Sequence, residues 1–526
     1  MIIRVLIAVV LAVPAYFYTM RYNMHMFQQN GYKNKEHLHW LKKKFRLQWI
    51  LYFGLALGIV TCVFPYLALE IFEYLVLFVI IVVYRAMKRM NTKKKLVYTA
   101  RVKRLLTTEL ILTAAVFALV CGLGGMKRIP GLCLILVSVN LFLDIVANVI
   151  NHPMEAGINQ HYINDAVRKL KSVTGLTVIG VTGSYGKTSV KFYLQTLLQE
   201  KYNVLVTPES FNTPMGVVRT IRGSLKPTTE IFVCEMGARH VGDIKEICDM
   251  VHPDHGVITS IGPQHLETFF NMENIQKTKF ELADALPEGG MLFLNGDNDY
   301  IQQQAASPAY DQTPEKIFYY SETEGTGYCA KDVKVSQLGT EFTVVTPDGE
   351  SERFQMRLIG AHNVINVVGA IAVAHKMGMT LQELRIPVRR IEPVPHRMQM
   401  REHGLVTIID DAYNSNPVGS RAAVETLAMF DGIRILITPG MVELGGNEDG
   451  FNRAFGEQMA DSVDIAILVG KKHTQPIVDG LTKAGFPQEN IHVVGSLEES
   501  TTLLHGMMRS GDVVLYENDL PDNYSE

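Results

Sequence analysis

Residues 176–199 read LTVIGVTGSYGKTSVKFYLQTLLQ. The opening is apolar and rich in β-branched residues, as a buried strand requires. The closing part places its apolar residues at helical spacing. Between them Gly183, Ser184, Gly186, Lys187, Thr188 and Ser189 form a glycine-rich turn that opens a helix. Glycines let backbone N–H groups close around phosphate oxygens, and the helix N-terminus adds positive potential. Lys187 is then placed to reach the β- and γ-phosphates, and Thr188 to offer its hydroxyl to magnesium. The strict pattern has a glycine where this chain has Val181, so the match is the variant TGxxGKT. A structural glycine turn is the alternative. The strand before and the helix after favour nucleotide.

Working outward, the chain from about residue 165 alternates short apolar runs with helical stretches. The runs are YNVLVTP, EIFVCEMG, HGVITSIG and GMLFLNGD. Such alternation predicts a parallel sheet with crossover helices. Over 316–358 the helical signal fades, which predicts an antiparallel patch with Pro347-Asp348-Gly349 as its hairpin turn. A second series, LVTIIDD, GIRILITPG, VDIAILVG, NIHVVG and DVVLYEN, begins near residue 404. The prolines of PVPHRMQM mark a boundary near 393–400. The expected organisation is an ATP-binding central domain over 165–393 and a Rossmann-like α/β C-terminal domain over 394–526.

Upstream the character changes. Residues 2–20, 48–84, 108–124 and 130–150 are long apolar runs, and 48–84 is long enough for two spans broken near Pro65 and Tyr66. The expectation is an α-helical membrane domain over 1–152 with about five transmembrane helices, the first an uncleaved anchor rather than a signal peptide. Basic residues crowd the loops 21–47 and 85–104, which puts both loops, and everything after about residue 152, in the cytoplasm. Lys127 and Arg128 are a mild violation. Glu70, Glu73 and Asp144 fall near span ends and are expected at the interface.

Composition narrows the classes. The chain has 526 residues, a net charge of -3 and 20% charged residues, so neither a disordered chain nor a nucleic-acid binder is indicated. Its six cysteines have no CxxC or zinc-finger spacing, which suits a reducing compartment.

The loop GVTGSYGKTS resembles the nucleotide loop of the Mur ligases, ATP-dependent amide-forming enzymes of peptidoglycan biosynthesis. Further segments follow in the family's order: TPESFNTPMGV, EMGARHVGDI, ITSIGPQHLETF, QKTKFELADAL, LNGDNDY, GAHNVINVVGAIAVA, HRMQM and IDDAYNSNPVGSRAAVETL. The resemblance covers about residues 172–515 and is nearest to the branch that adds D-alanyl-D-alanine to a UDP-muramoyl tripeptide. It implies ATP and Mg2+ as cofactors.

Residue by residue, the resemblance implies that Thr188, Glu235, His265 and a carbamylated Lys279 hold magnesium, with Lys187, His265 and Lys279 catalytic. Lys277 is the competing carbamylation site. Asn363 and Asn366 match the adenine-side cluster, and Arg397 and Asp411 match residues that reach ATP from the hinge and the last domain. Asn212, Thr213, Tyr413, Asn414 and Asn416 fall where substrate contacts are expected. Each also has a structural reading. Glu235 is then a capping acid, His265 a surface-loop residue and Lys279 a solvated lysine. Asn363 and Asn366 become helix caps, Arg397 with Asp411 a salt bridge, and Asn416-Pro417 a turn.

The implied reaction is ATP-dependent ligation through an acyl phosphate, joining a cell-envelope precursor carboxylate to an amino acid or dipeptide. Family members begin with a soluble UDP-binding domain, and here apolar helices stand in that place. The expected setting is therefore the cytoplasmic membrane, with the lipid bilayer as partner and a lipid-linked or membrane-delivered acceptor. Alternatives are an anchored poly-γ-glutamate-type polymer synthase and a non-ligating membrane P-loop ATPase or scaffold.

Overall fold

The computed structural model describes residues 1–88, 95–308, 310, 316–322, 327–404, 406–413 and 415–520. The chain divides into two compact units, residues 1–160 and 161–520.

The first unit is helical: α1 (Ile2–Gln29), α2 (Asn34–Lys43), α3 (Phe45–Val63), α4 (Leu67–Lys88), α5 (Ala100–Gly124) and, as far as residue 160, α6 (Ile129–Lys171). Much of the basic stretch 21–47 is thus helix rather than loop. Among the described residues three stretches are long and apolar enough to cross a membrane: Ile2–Gln29, Leu67–Met87 and Met126–Lys171. A fourth arises if the bent pair Asn34–Lys43 and Gln48–Val63 counts as one span. The fifth expected span lies in α5, whose apolar part is shortened by Arg101, Lys103, Arg104 and Glu109. Glu70, Glu73 and Asp144 are 3%, 0% and 0% exposed, packed among the helices.

The second unit holds two sheets. The larger has nine strands: β1 (Thr177–Thr182), β2 (Val204–Val206), β3 (Ile231–Glu235), β4 (His255–Ile258), β5 (Met291–Asn295), β6 (Ile317–Ser321), β7 (Tyr328–Ser336), β8 (Gly339–Val345) and β9 (Ser351–Met356). Their order is β2-β3-β1-β4-β5-β6-β7-β8-β9. Pairing is parallel from β2 to β7 and antiparallel from β7 to β9. The antiparallel patch begins later than expected, because β6 still pairs in parallel with β5. The turn at Pro347-Asp348-Gly349 closes on a Thr346 N–H to Glu350 O bond of 2.8 Å, with Gly349 at φ +85. Both faces of the sheet are covered, which is why β1 and β3 read as continuous apolar runs. Val181, Val190, Leu194 and Val233 pack on one face, and Val178, Phe232, Cys234 and Leu282 on the other.

The smaller sheet comprises β10 (Gln399–His403), β11 (Val406–Asp411), β12 (Arg434–Thr438), β13 (Ile465–Val469), β14 (Ile491–Val494) and β15 (Val513–Glu517), ordered β10-β11-β15-β12-β13-β14. All pairs are parallel except β10–β11. Strand β10 falls in the stretch read as a boundary. It is polar and exposed, so it carries little hydrophobic signal.

Candidate nucleotide and ligation site

Strand β1 ends at Thr182, and α7 (Lys187–Leu198) starts five residues later, so the phosphate loop is the tight connection between them. Gly183 has φ +152, and a Cβ there would collide with Thr259 Oγ1. Gly186 has φ +79, and a Cβ would stand 2.8 Å from Asn366 Oδ1. The loop is stitched to the segment after β4. The Tyr185 N–H donates to Ser260 Oγ at 2.9 Å, and the Ser184 hydroxyl to Gly262 O at 3.0 Å. Tyr185 Oη donates to Pro263 O at 2.6 Å.

Lys187 Nζ donates to Gly183 O at 2.6 Å and Ser184 O at 3.0 Å, so its ammonium sits over the loop where phosphate oxygens would compete for it. Burial lowers its pKa to about 8, partly offset by Glu235. Thr188 Oγ1 donates to Glu235 Oε1 at 3.2 Å, and Asn212 Nδ2 donates to the same oxygen at 2.9 Å. Glu235, 1% exposed at the end of β3, pairs through Oε2 with Lys191 Nζ at 3.0 Å. Burial pushes the Glu235 carboxyl up, but Lys191 and Lys187 outweigh it and hold it below the usual range. The carboxylate is therefore ionised. Its Oε2 lies against the Lys191 ammonium, and its Oε1 takes the Thr188 hydroxyl and the Asn212 amide. That donor set fits Mg2+, which takes oxygen ligands and keeps waters and phosphates as the rest. Among the described residues no three His, Cys, Asp or Glu side chains converge as a ready metal cage.

Lys191 was not singled out from the sequence. It lies four residues after Lys187, on the inner face of α7, and is fully buried. A lysine at an apolar position of that helix was the available signal.

Lys279, on the helix Met272–Asp284, is 2% exposed, while Lys277 is exposed. Burial first, and then the Lys187 charge, hold the Lys279 amine well below the ordinary lysine range. His265 has φ +52, and its Nδ1 is hydrogen-bonded to Glu443 Oε2. Burial lowers the imidazole pKa, which Glu443 partly restores. A neutral ring that donates from Nδ1 leaves Nε2 as an acceptor for a ligand. Glu443, in PGMVELGG, also accepts at its backbone oxygen from the Leu266 N–H at 3.2 Å. No local pattern announced it.

The remaining positions separate. Asn366 Nδ2 donates to His362 O at 3.0 Å, with Oδ1 against Gly186. Asn363 is tied to Tyr193 Oη at 3.0 Å and to Ile359 O at 2.9 Å. Arg397 lies 4.5 Å over the Tyr413 ring, and Tyr413 Oη donates to Ser210 Oγ. Asp411 accepts from the Met398 N–H at 3.1 Å, and burial raises its pKa to about 6. Thr213 and Asn416 cap the helices Pro214–Ser224 and Pro417–Leu427 with their side-chain oxygens. Ser189 lies buried in the first turn of α7. Asn414 lies outside the described residues.

Residues 181–374 match the model of the Mur ligase middle domain, and residues 396–516 match that of the Mur ligase, glutamate ligase domain. The UDP-N-acetylmuramoyl-tripeptide--D-alanyl-D-alanine ligase of Bacillus subtilis (strain 168) is 32% identical over 352 residues, which is 65% of this chain and 73% of that enzyme. The enzyme of the same name from Escherichia coli (strain K12) is 32% identical over 301 residues. That match spans 56% of this chain and 65% of the relative, just under two thirds of its length. Among solved structures, MurF ligase from Thermotoga maritima in complex with ADP superposes with a TM-score of 0.60 at 26% identity, covering 69% of this chain and 80% of that one.

Proposed function

The chain belongs to the Mur ligase family, a family of ATP-dependent ligases that form carbon–nitrogen bonds, and from that premise we propose a MurF-like peptide ligase anchored at the cytoplasmic membrane. The carrying observation is the convergence of Thr188, Lys191, Asn212 and Glu235 beside the Lys187 loop.

Thr188 and Glu235 would hold magnesium, with His265 Nε2 and a carbamylated Lys279 as further ligands. Bound there, the ion would neutralise phosphate charge during transfer. Lys187 would hold the β- and γ-phosphates as their charge shifts. Lys191 keeps Glu235 ionised and oriented. Asn363 and Asn366 would flank the adenine side, and Arg397 and Asp411 would reach the nucleotide from the smaller sheet. The acceptor carboxylate would attack the γ-phosphorus, breaking its bond to ADP and giving an acyl phosphate. The amine nitrogen then attacks the acyl carbon, inorganic phosphate leaves, and the amine proton passes to solvent. Asn212, Thr213, Tyr413, Asn414 and Asn416 are proposed to face the substrates, Thr213 and Asn416 through groups other than their capping oxygens.

Three or four stretches with the length and apolarity of spans support the membrane setting. A lipid-linked cell-envelope precursor is the proposed acceptor, and D-alanyl-D-alanine or a related amine the proposed donor. The test offers lipid-linked and UDP-linked muramoyl peptides to the full-length protein in nanodiscs and follows ADP release. Turnover with the lipid-linked acceptor alone supports the reading. Faster turnover with the UDP-linked one overturns the lipid-linked part of it.

A further inference from the structure

The helical unit buries polar groups that nothing in its own packing satisfies. On α1, Tyr16 and Asn23 lie two turns apart. On α5, Glu109 and Thr113 lie one turn apart, and on α6, Asn140 and Asp144 do the same. Two bonds align these faces. Tyr16 Oη and Thr113 Oγ1 are 2.8 Å apart, and Asn23 Nδ2 donates to Asn140 Oδ1 at 3.4 Å. Glu109 and Asp144 come within hydrogen-bonding reach of each other.

Asn23, Glu109, Asn140 and Asp144 are each 0% exposed. Asn23 Oδ1, Asn140 Nδ2 and all four carboxyl oxygens of Glu109 and Asp144 lack a hydrogen-bond donor or acceptor to complete them. Gln48, also 0% exposed, has both amide atoms unpartnered. Gly54 packs on Leu134 and Ser138, and Gly58 on Gly131 and Ile135, so α3 runs antiparallel to α6.

Buried polar groups without partners are costly, and ionisable ones among apolar helices are retained for a function. One proton shared by the two carboxyls would serve only two of their four oxygens. Among the described residues neither acid is hydrogen-bonded to a basic side chain. Arg4 is paired with Glu70 and Arg104 with Glu155. An excess of oxygen acceptors without a cationic side chain suits a small, hard cation.

We propose that Glu109 and Asp144, with Asn23 Oδ1 and the hydroxyls of Tyr16 and Thr113, form a binding site for a small, hard inorganic cation inside the helical unit. The site does not depend on the ligase reading.

The test is isothermal titration of the full-length protein in nanodiscs, without nucleotide, with sodium, potassium, magnesium and calcium chlorides at constant ionic strength. Wild type and the double variant E109Q/D144N are compared, and a signal common to both belongs elsewhere, the phosphate loop included. One of the four cations should bind wild type at one ion per chain, and the double variant at least tenfold more weakly. Matching far-UV circular dichroism and matching size-exclusion profiles of the two proteins verify that the helical unit folds. If the double variant does not fold, Asn23→Ala keeps both carboxyls and should still weaken the ion severalfold. Four titrations that do not distinguish wild type from a folded variant would overturn the proposal.

Discussion

His265, after β4, and Glu443, after β12, meet through an imidazole–carboxylate hydrogen bond, although 178 residues separate them in sequence. The same glutamate accepts from the Leu266 N–H and lies 3.5 Å from the Arg239 guanidinium. One side chain from the smaller sheet's loops therefore fixes the ring orientation of a residue beside the phosphate loop. Glu443→Ala should lower turnover about tenfold or more while leaving ATP affinity within a few-fold, since partners of a ligating histidine act at about that scale. Glu443→Gln, which can still accept from Nδ1–H, should recover part of the rate. Steady-state kinetics on both variants checks this.

Lys191 and Glu235 form a buried ion pair. Removing one partner leaves an uncompensated buried charge, a loss of about 3–5 kcal/mol. Lys191→Ala should show that loss in denaturant unfolding. Magnesium-dependent ATP binding should also weaken at neutral pH, as Glu235 loses the nearer of the cations that keep it ionised.

Burial distinguishes the two lysines near the site. A neutral amine reacts with carbon dioxide, and Lys279 is the buried one with a depressed pKa. Isotopically labelled bicarbonate should give a carbamate resonance in wild type and in Lys277→Ala, and none in Lys279→Ala. Loss of the signal in Lys277→Ala instead would move the modification.

Glu517 ends β15, fully buried, with its oxygens accepting from Ser415 Oγ and from Thr438 Oγ1, the latter at 3.0 Å. Burial raises its pKa to about 8. The folded protein thus keeps a proton that the unfolded chain releases above about pH 4.5. Stability from this group is full below that pH, falls as pH rises towards 8, and is level beyond, by on the order of a few kcal/mol. Glu517→Gln should flatten this decline, and above pH 8 the variant should be the more stable. Thermal unfolding from pH 5 to 9 reads it directly.

The phosphate loop was legible because its chemistry is local: glycines, a lysine and a threonine within a few residues, between a strand and a helix. The two parallel series were legible for the same reason. Lys191 was hidden because its meaning depends on which face of α7 turns to Glu235. Glu443 was hidden because only the fold brings it to His265. Strand β10 carries no apolar pattern. In the helical unit, hydropathy marks the apolar runs but not which acids packing turns inward, so the burial of Asp144 beside Glu109 carries no sequence signal.

The proposed reaction uses ATP to join a carboxylate to an amine at this site. Its most direct test measures ADP release and product mass together, with a muramoyl tripeptide acceptor and D-alanyl-D-alanine each present or withheld. The account predicts an amide product one dipeptide heavier, ADP release that requires both substrates, and a loss of about a hundred- to a thousandfold in Lys187→Ala. ADP release that is indifferent to acceptor and amine, with no amide product, would contradict it.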